Sequence, residues 1–275
     1  MQDHTISGGC GLKLHAVETG KPTGKPILFI HGFSQCRLAW NKQLRSDLAE
    51  DFHLVSMDLR GHGLSEKDGD AYGDPKLWAD DVHAVIETLN LTSPVVVGWS
   101  YAGVIITDYV ARYGEGQIAG TNWVGALSRL GMPLVAPGFL GADFLECIPG
   151  FVSDNVEEST TALQKFVRCC VYAEPSPEDF HFLLGCTTVV PPYVRQGLIS
   201  RNVNNDSVIE GMRKPMLLTY GEEDRIALKA MRDHMVKLTQ QAESKLSLYS
   251  KVGHAPFWEA PERFNIELRQ FRESV

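Results

Sequence analysis

The chain is short of the features that mark several broad classes of protein. Its 275 residues hold only six cysteines (Cys10, Cys36, Cys147, Cys169, Cys170 and Cys186), with no C-x-x-C pair and no His-x-x-His arrangement nearby. Zinc usually takes paired ligands at short spacing, so the thiols are read as reduced and no metal or other cofactor is expected. Basic charge is scarce too: 26 Lys and Arg stand against 34 Asp and Glu, for a formal net charge of −8, and no Lys/Arg cluster is visible. Binding nucleic acid takes such clusters to displace counterions from phosphates, so that class of partner is excluded. No segment reaches the roughly 18 uninterrupted apolar residues of a membrane span. The start, Met1-Gln2-Asp3-His4-Thr5, lacks the basic and apolar runs of a secretory leader, so a cytoplasmic location is expected. Internal repeats and low-complexity tracts are missing as well, which removes solenoid and linker readings.

What is present is an ordinary globular composition, 44% apolar and 22% charged, long enough to bury one full core. Between Gly8 and Val124 short apolar runs alternate with amphipathic stretches, the pattern of successive strand–helix–strand units. Pro26–Ile30 and Pro94–Val97 are continuous apolar runs bounded by turn residues, as expected of strands covered on both faces of a parallel sheet. Phe52–Met57 and Ile118–Leu127 read as two further strands. Trp40–Leu48 and Leu77–Leu89 carry apolar residues at helical spacing.

From about Leu130 to Asn205 the alternation gives way to Pro, Gly, Phe and Cys mixed with helical fragments such as Thr160–Tyr172 and Glu178–Leu184. This stretch reads as an inserted helical cap over 130–205, with 1–129 and 206–275 forming the core domain. The core pattern resumes with a strand at Pro215–Tyr220, a helix near Leu228–Thr239, a strand at Lys245–Tyr249 and a terminal helix from about Pro261.

One segment carries chemistry most clearly. Val95-Val96-Val97-Gly98-Trp99-Ser100-Tyr101-Ala102-Gly103 runs from a strand through a sharp turn into the apolar helix Val104–Val110. Such a turn strains the backbone of the serine and needs small residues two before and two after it, here Gly98 and Ala102, so that strand and helix can approach. At this point the chain resembles the α/β-hydrolase family, whose usual pattern has glycine where Ala102 stands. Four more segments fit that family in order: Phe29-Ile30-His31-Gly32-Phe33-Ser34, Asp58-Leu59-Arg60-Gly61-His62-Gly63-Leu64-Ser65, Tyr220-Gly221-Glu222-Glu223-Asp224-Arg225-Ile226 and Val252-Gly253-His254-Ala255-Pro256.

The resemblance implies a mostly parallel α/β sheet flanked by helices, with Ser100 as nucleophile, His254 as base and Asp224 as the acid that orients it, Glu223 being the alternative acid. It implies an oxyanion hole from the backbone amides of Phe33 and Tyr101. His31 is read as a prop for its loop rather than a catalytic group, and the Asp58–Ser65 turn, His62 included, as a fastening. His4 and His15 lie ahead of the strands predicted here, and His83, His181 and His234 fall in expected helices, so none competes for the base role. Many relatives have proline where this chain has Leu228.

The chemistry needs these residue types together. A serine hydroxyl is a poor nucleophile near neutrality, so an imidazole with an ordinary pKa of about 6.5 must take its proton and return it to the leaving group, while a carboxylate fixes the ring. Serine at the turn disfavours haloalkane dehalogenase and epoxide hydrolase chemistry, for which relatives use aspartate. The motifs are similar to those of bacterial carboxylesterases and cofactor-free haloperoxidases, which act as perhydrolases. The expected reaction is hydrolysis of a small hydrophobic ester, with perhydrolysis the alternative and carbon–carbon bond hydrolysis or ligand sensing behind it. Relatives strong in perhydrolysis often carry proline where this chain has Ser34. Ser34, Trp99, Phe139 and Phe144 are candidate substrate contacts. The partner is thus a small molecule, and homo-oligomerisation stays open.

Overall fold

The computed structural model describes every residue except 68, 70, 71 and 132–135, the last four within the expected cap. The strands are β1 (Gln2–Ser7), β2 (Lys13–Gly20), β3 (Pro26–Ile30), β4 (His53–Met57), β5 (Val95–Trp99), β6 (Gly120–Val124), β7 (Arg129–Leu130), β8 (Val203–Asn204), β9 (Met216–Gly221) and β10 (Ser244–Tyr249). Eight of them form one sheet in the order β1-β2-β4-β3-β5-β6-β9-β10. From β4 to β10 every neighbour is parallel, whereas β1/β2 and β2/β4 are antiparallel.

The four strands β3, β5, β6 and β9 are buried at every residue. This is what continuous apolar runs require: a strand with helices on both faces has no solvent side on which polar residues could alternate. The expected mostly parallel α/β architecture is therefore the observed one. The N-terminal pair adds to it, because His4 and His15 lie within β1 and β2 and are part of the sheet rather than ahead of it. β1 is an edge strand that buries only Ile6, so it carries almost no apolar pattern to read.

Helix Pro75–Thr88 starts where Asp74 accepts a hydrogen bond from the Lys76 amide at 2.9 Å, with Pro75 in the first turn where a missing N–H costs nothing. The continuous helix expected over Trp40–Leu48 is instead two short pieces, Asn41–Leu44 and Leu48–Asp51. Ser46 sits between them, its hydroxyl donating to Gln43 O at 2.7 Å and accepting from Leu48 N at 3.2 Å. The side chain offers the backbone partners that compete with the helix.

After β6 the chain leaves the sheet through β7 and returns through β8, the two pairing as Arg129↔Asn204 and Leu130↔Val203. Between them lie helices Ala142–Leu145, Ile148–Phe151, Val156–Cys169, Pro177–Thr188 and Pro192–Ile199. Two begin earlier than the apolar spacing suggests because polar residues cap them. Asn155 accepts from Glu157 N and Glu158 N, and Ser176 accepts from Asp179 N ahead of Pro177. His83, His181 and His234 lie in helices as expected.

Candidate active site

Ser100 follows β5 directly and precedes helix Ala102–Tyr113, with φ at +57°. Non-glycine residues seldom hold that conformation, which costs about 1–3 kcal/mol and persists only where the surroundings enforce it. Here the Ser100 amide donates to Val124 O at 2.8 Å, and Ser100 O accepts from Gly103 N and Leu127 N at 3.0 and 3.2 Å. A Cβ on Gly98 would lie 2.5 Å from Ile106 Cδ1 and 3.2 Å from Ala102 Cβ, and one on Gly103 would lie 2.6 Å from Leu127 O. Strand and helix approach closely enough that only small residues fit, and the methyl of Ala102 is accommodated.

Asp224 follows β9 and is buried, while Glu222 and Glu223 beside it are exposed. Its Oδ1 accepts from the amides of Ile226 and Ala227 at 2.8 and 2.9 Å, and its Oδ2 lies 2.8 Å from His254 Nδ1. A carboxylate so occupied can only accept, so the proton of the neutral ring is on Nδ1 and Nε2 carries the lone pair. His254 itself is 1% exposed, and its Nε2 has no hydrogen-bond partner among the described residues. Trp99 Nε1 donates to His254 O at 2.8 Å, and a Cβ on Gly125 would lie 2.9 Å from Nδ1, so the ring is packed in place from two sides. Leu228, where many relatives have proline, donates its amide to Phe139 O at 2.9 Å. Proline could not make that bond.

The Phe33 and Tyr101 amides find no hydrogen-bond partner among the described residues, leaving two donors beside the turn that holds Ser100. A Cβ on Gly32 would stand 3.1 Å from Ser100 Cβ, which brings the two loops together. Next along, Ser34 has φ +52°, a conformation closed to proline, whose ring holds φ near −65°. Its carbonyl accepts from Thr187 Oγ1 at 2.8 Å, and Thr187 Oγ1 accepts from Gln35 Nε2 at 2.6 Å.

His31 is wholly buried and braces its loop: Nδ1 donates to Gly32 O at 2.9 Å and Nε2 accepts from Leu59 N at 3.0 Å. Burial holds it below the ordinary histidine range. In the Asp58–Ser65 turn, Asp58 accepts from Arg37 N, Leu64 N and His15 Nδ1, and Arg60 makes a buried two-bond ion pair with Asp81. Burial would raise the Asp58 carboxyl, but its hydrogen bonds, led by His15, and the nearby His31 together hold it below its usual value. Burial pushes His62 down to about 3, and its Nδ1 donates to Arg60 O at 2.8 Å. These groups fasten loops.

A cavity of about 280 Å³ opens at Ser100. Its walls are Phe33, Tyr101, Leu127 and Ile226 from the sheet domain, Leu130 from β7, and Gly131, Leu140, Phe144, Leu145, Ile148, Phe166 and Ile199 from the segment between β7 and β8. Apart from Ser100 and Tyr101 these are apolar residues and one glycine, and none of the described wall residues is charged. Phe144 is among them, whereas Ser34, Trp99 and Phe139 are not: Ser34 is turned to Thr187, Trp99 backs His254, and Phe139 packs on His234 at 5.1 Å. A larger depression of about 700 Å³, lined by Lys42, Arg45, Asp47, Glu262 and Arg269 among others, shares no residue with this cavity and holds neither a strained serine nor a histidine.

A buried support that sequence pattern does not show stands behind Tyr101. Arg201 Nη2 donates to Asp108 Oδ2 at 2.6 Å, and Tyr101 Oη lies 3.4 Å from Arg201 Nη1 while donating to Leu198 O at 3.2 Å. Burial pushes Asp108 up to about 6 in spite of the guanidinium. Asp108, buried within the largely apolar run Val104–Val110, is the sign of it that the sequence carries.

Comparison with known proteins decides the family. Residues 27–267 match the Alpha/beta hydrolase family. The chain belongs to that family. This α/β-hydrolase is 27% identical over 258 residues to the AB hydrolase superfamily protein YisY of Bacillus subtilis (strain 168), covering 91% of this chain and 92% of that protein. It is 36% identical over 222 residues to the bifunctional esterase/perhydrolase DCH of Acinetobacter calcoaceticus, covering 74% and 76%. Among solved structures it is similar to the esterase RhEst1 from Rhodococcus sp. ECU1013, with 31% identity, a TM-score of 0.94 and full coverage of both chains. No described helix is long and apolar enough to cross a membrane.

Proposed function

We propose that this α/β-hydrolase is a carboxylic ester hydrolase in which Ser100 attacks the carbonyl, His254 acts as base and Asp224 holds and stabilises the imidazolium. The observation that carries this reading is a strained serine at the mouth of an apolar cavity together with a buried histidine whose Nδ1 is committed to Asp224 and whose Nε2 has no hydrogen-bond partner, Ser100 included, among the described residues. A buried polar atom without a partner costs about 1–3 kcal/mol, so leaving an imidazole lone pair unmet beside a serine loop makes sense when a substrate-bound state uses it.

In the proposed cycle Ser100 Oγ bonds to the carbonyl carbon as its proton passes to His254 Nε2. The oxyanion is met by the Phe33 and Tyr101 amides, and the same proton then leaves with the alcohol. Water, deprotonated by His254, hydrolyses the acyl-serine and restores the enzyme. Donors fixed in an uncharged, apolar cavity act more strongly on developing charge than they would in water. The segment 130–205 serves as a helical cap that supplies most of the cavity wall. The size and lack of charge of the cavity suit small hydrophobic esters.

A second reading is favoured by the likeness to an esterase/perhydrolase: hydrogen peroxide replaces water in the second step and a peracid is released. The backbone of Ser34, closed to proline, supports hydrolysis as the main reaction. A panel of short p-nitrophenyl esters, lactones, amides and peroxide-dependent halogenation, each run with Ser100→Ala alongside, tests the proposal. Ester turnover lost in the variant is expected; amide or halogenation activity exceeding ester hydrolysis would displace it.

A further inference from the structure

The loop that carries His254 is held from outside the sheet. A Cβ on Gly253 would lie 2.7 Å from Tyr172 N and 2.8 Å from the carbonyl carbon of Val171, so the turn that closes helix Val156–Cys169 lies directly on the backbone before the histidine. Glu259, in the short helix Pro256–Glu259, spans the join. Its Oε1 accepts from Gly253 N at 2.8 Å and its Oε2 from Tyr172 N at 2.7 Å. On the acid's side Arg225, next to Asp224, donates to Val171 O at 3.1 Å and to Arg168 O.

We propose that Glu259 is a positioning residue: one carboxylate, by accepting from the amides of Gly253 and Tyr172 together, fixes the His254 loop to the inserted helices and so holds the imidazole against Asp224. This rests on the reading of His254 as the base. Only a carboxylate suits the join, because it offers two accepting oxygens and no donor. Glutamine would keep one oxygen and point an NH₂ at the other amide, leaving that amide unmet. The groups that favour its charge are backbone amides, those of Tyr172 and Gly253 foremost. Burial, with the negative charge of Asp224 adding to it, raises its pKa while the amides oppose the rise.

The test compares Glu259→Gln and Glu259→Asp with the unaltered enzyme by ester kinetics, amide hydrogen exchange and the low-field proton resonance of His254 Nδ1. For Glu259→Gln, kcat is expected to fall on the order of tenfold to a hundredfold, the scale of a small misplacement of a catalytic group, with KM moving by less than about threefold. Exchange at Gly253 and Tyr172 should quicken, and the low-field proton should shift or broaden. Glu259→Asp, which keeps the charge but is one methylene shorter, should fall between the two and serves if the glutamine variant does not fold. A folded variant with unchanged kcat and an unchanged low-field proton overturns the proposal, even if its melting temperature drops. The exchange and resonance readouts do not depend on serine chemistry, so activity surviving in Ser100→Ala would remove the proposed function and still leave these two to decide the role of Glu259.

Discussion

Thr187 holds the loop of Ser34 by a single hydroxyl that donates to Ser34 O at 2.8 Å and accepts from Gln35 Nε2 at 2.6 Å. Thr187 belongs to the helix Pro177–Thr188 between β7 and β8, and Ser34 follows the proposed oxyanion donor Phe33. The inserted helices therefore reach the loops around the candidate site at several points: Thr187 to Ser34, Tyr172 to Glu259, Val171 to Arg225 and Leu198 to Tyr101.

Replacing Thr187 with valine keeps the shape and removes the hydroxyl, so two bonds are lost and Ser34 O is left buried without its partner. We expect kcat/KM for esters to fall by about tenfold, the equivalent of roughly 1.4 kcal/mol, which lies within the usual cost of an unmet buried acceptor. Steady-state kinetics of Thr187→Val with an unchanged fold would check this, and wild-type kinetics would show that the loop keeps its shape unaided.

Gly63 has φ +48°, and a Cβ there would come within 2.3 Å of the Asp58 carboxyl carbon and of its Oδ1. Alanine must therefore distort the turn or break the hydrogen bonds of Asp58. Gly63→Ala is expected to destabilise the fold by more than about 2 kcal/mol, read by urea denaturation, through strain and lost bonds together.

How much of this was legible beforehand follows from where pattern lives. The parallel strands announce themselves because residues such as Ile27–Ile30 and Val95–Val97 are buried on both faces, and the turn at Ser100 is framed by small residues that close packing demands. Ser46 broke an expected helix through one hydroxyl, a local competition that spacing does not reveal. Edge strand β1 buries only Ile6 and so leaves no alternation to read. Cavity lining was the least legible, since Phe139 and Phe144 look alike in sequence and only the three-dimensional path of 136–151 turns one to His234 and the other to the cavity.

His62 offers a test by pH. Its folded pKa of about 3 lies below the unfolded value near 6.5, so the unfolded chain binds the proton first as pH falls. Its contribution to stability is complete above pH 6.5 and is lost progressively on acidification toward pH 3. His62→Asn keeps a donor for Arg60 O but cannot titrate. The stability gap between wild type and this variant should therefore shift in the variant's favour by about 1.4 kcal/mol per pH unit below pH 6.5. Urea denaturation at half-unit steps from pH 7.5 to 5 reads the slope, and a gap that stays constant would show that His62 takes up its proton alike in both states.

Leu228 has φ −68°, which proline also adopts, so Leu228→Pro keeps that torsion while removing the bond from its amide to Phe139 O. A loss of about 1 kcal/mol is expected, with Asp224 still bonded to His254. Thermal denaturation and the His254 low-field proton check both parts.

Hydrolysis by the proposed route requires a carbonyl carbon to become bonded to Ser100. Rapid acid quench of the enzyme during turnover of a short p-nitrophenyl ester, followed by peptide mass spectrometry, measures this directly. The expected result is a burst of nitrophenol approaching one per chain, with the acyl mass found on the peptide containing Ser100 and none in Ser100→Ala. An acyl group on another residue, or turnover that persists in Ser100→Ala, would rule out Ser100 as the nucleophile.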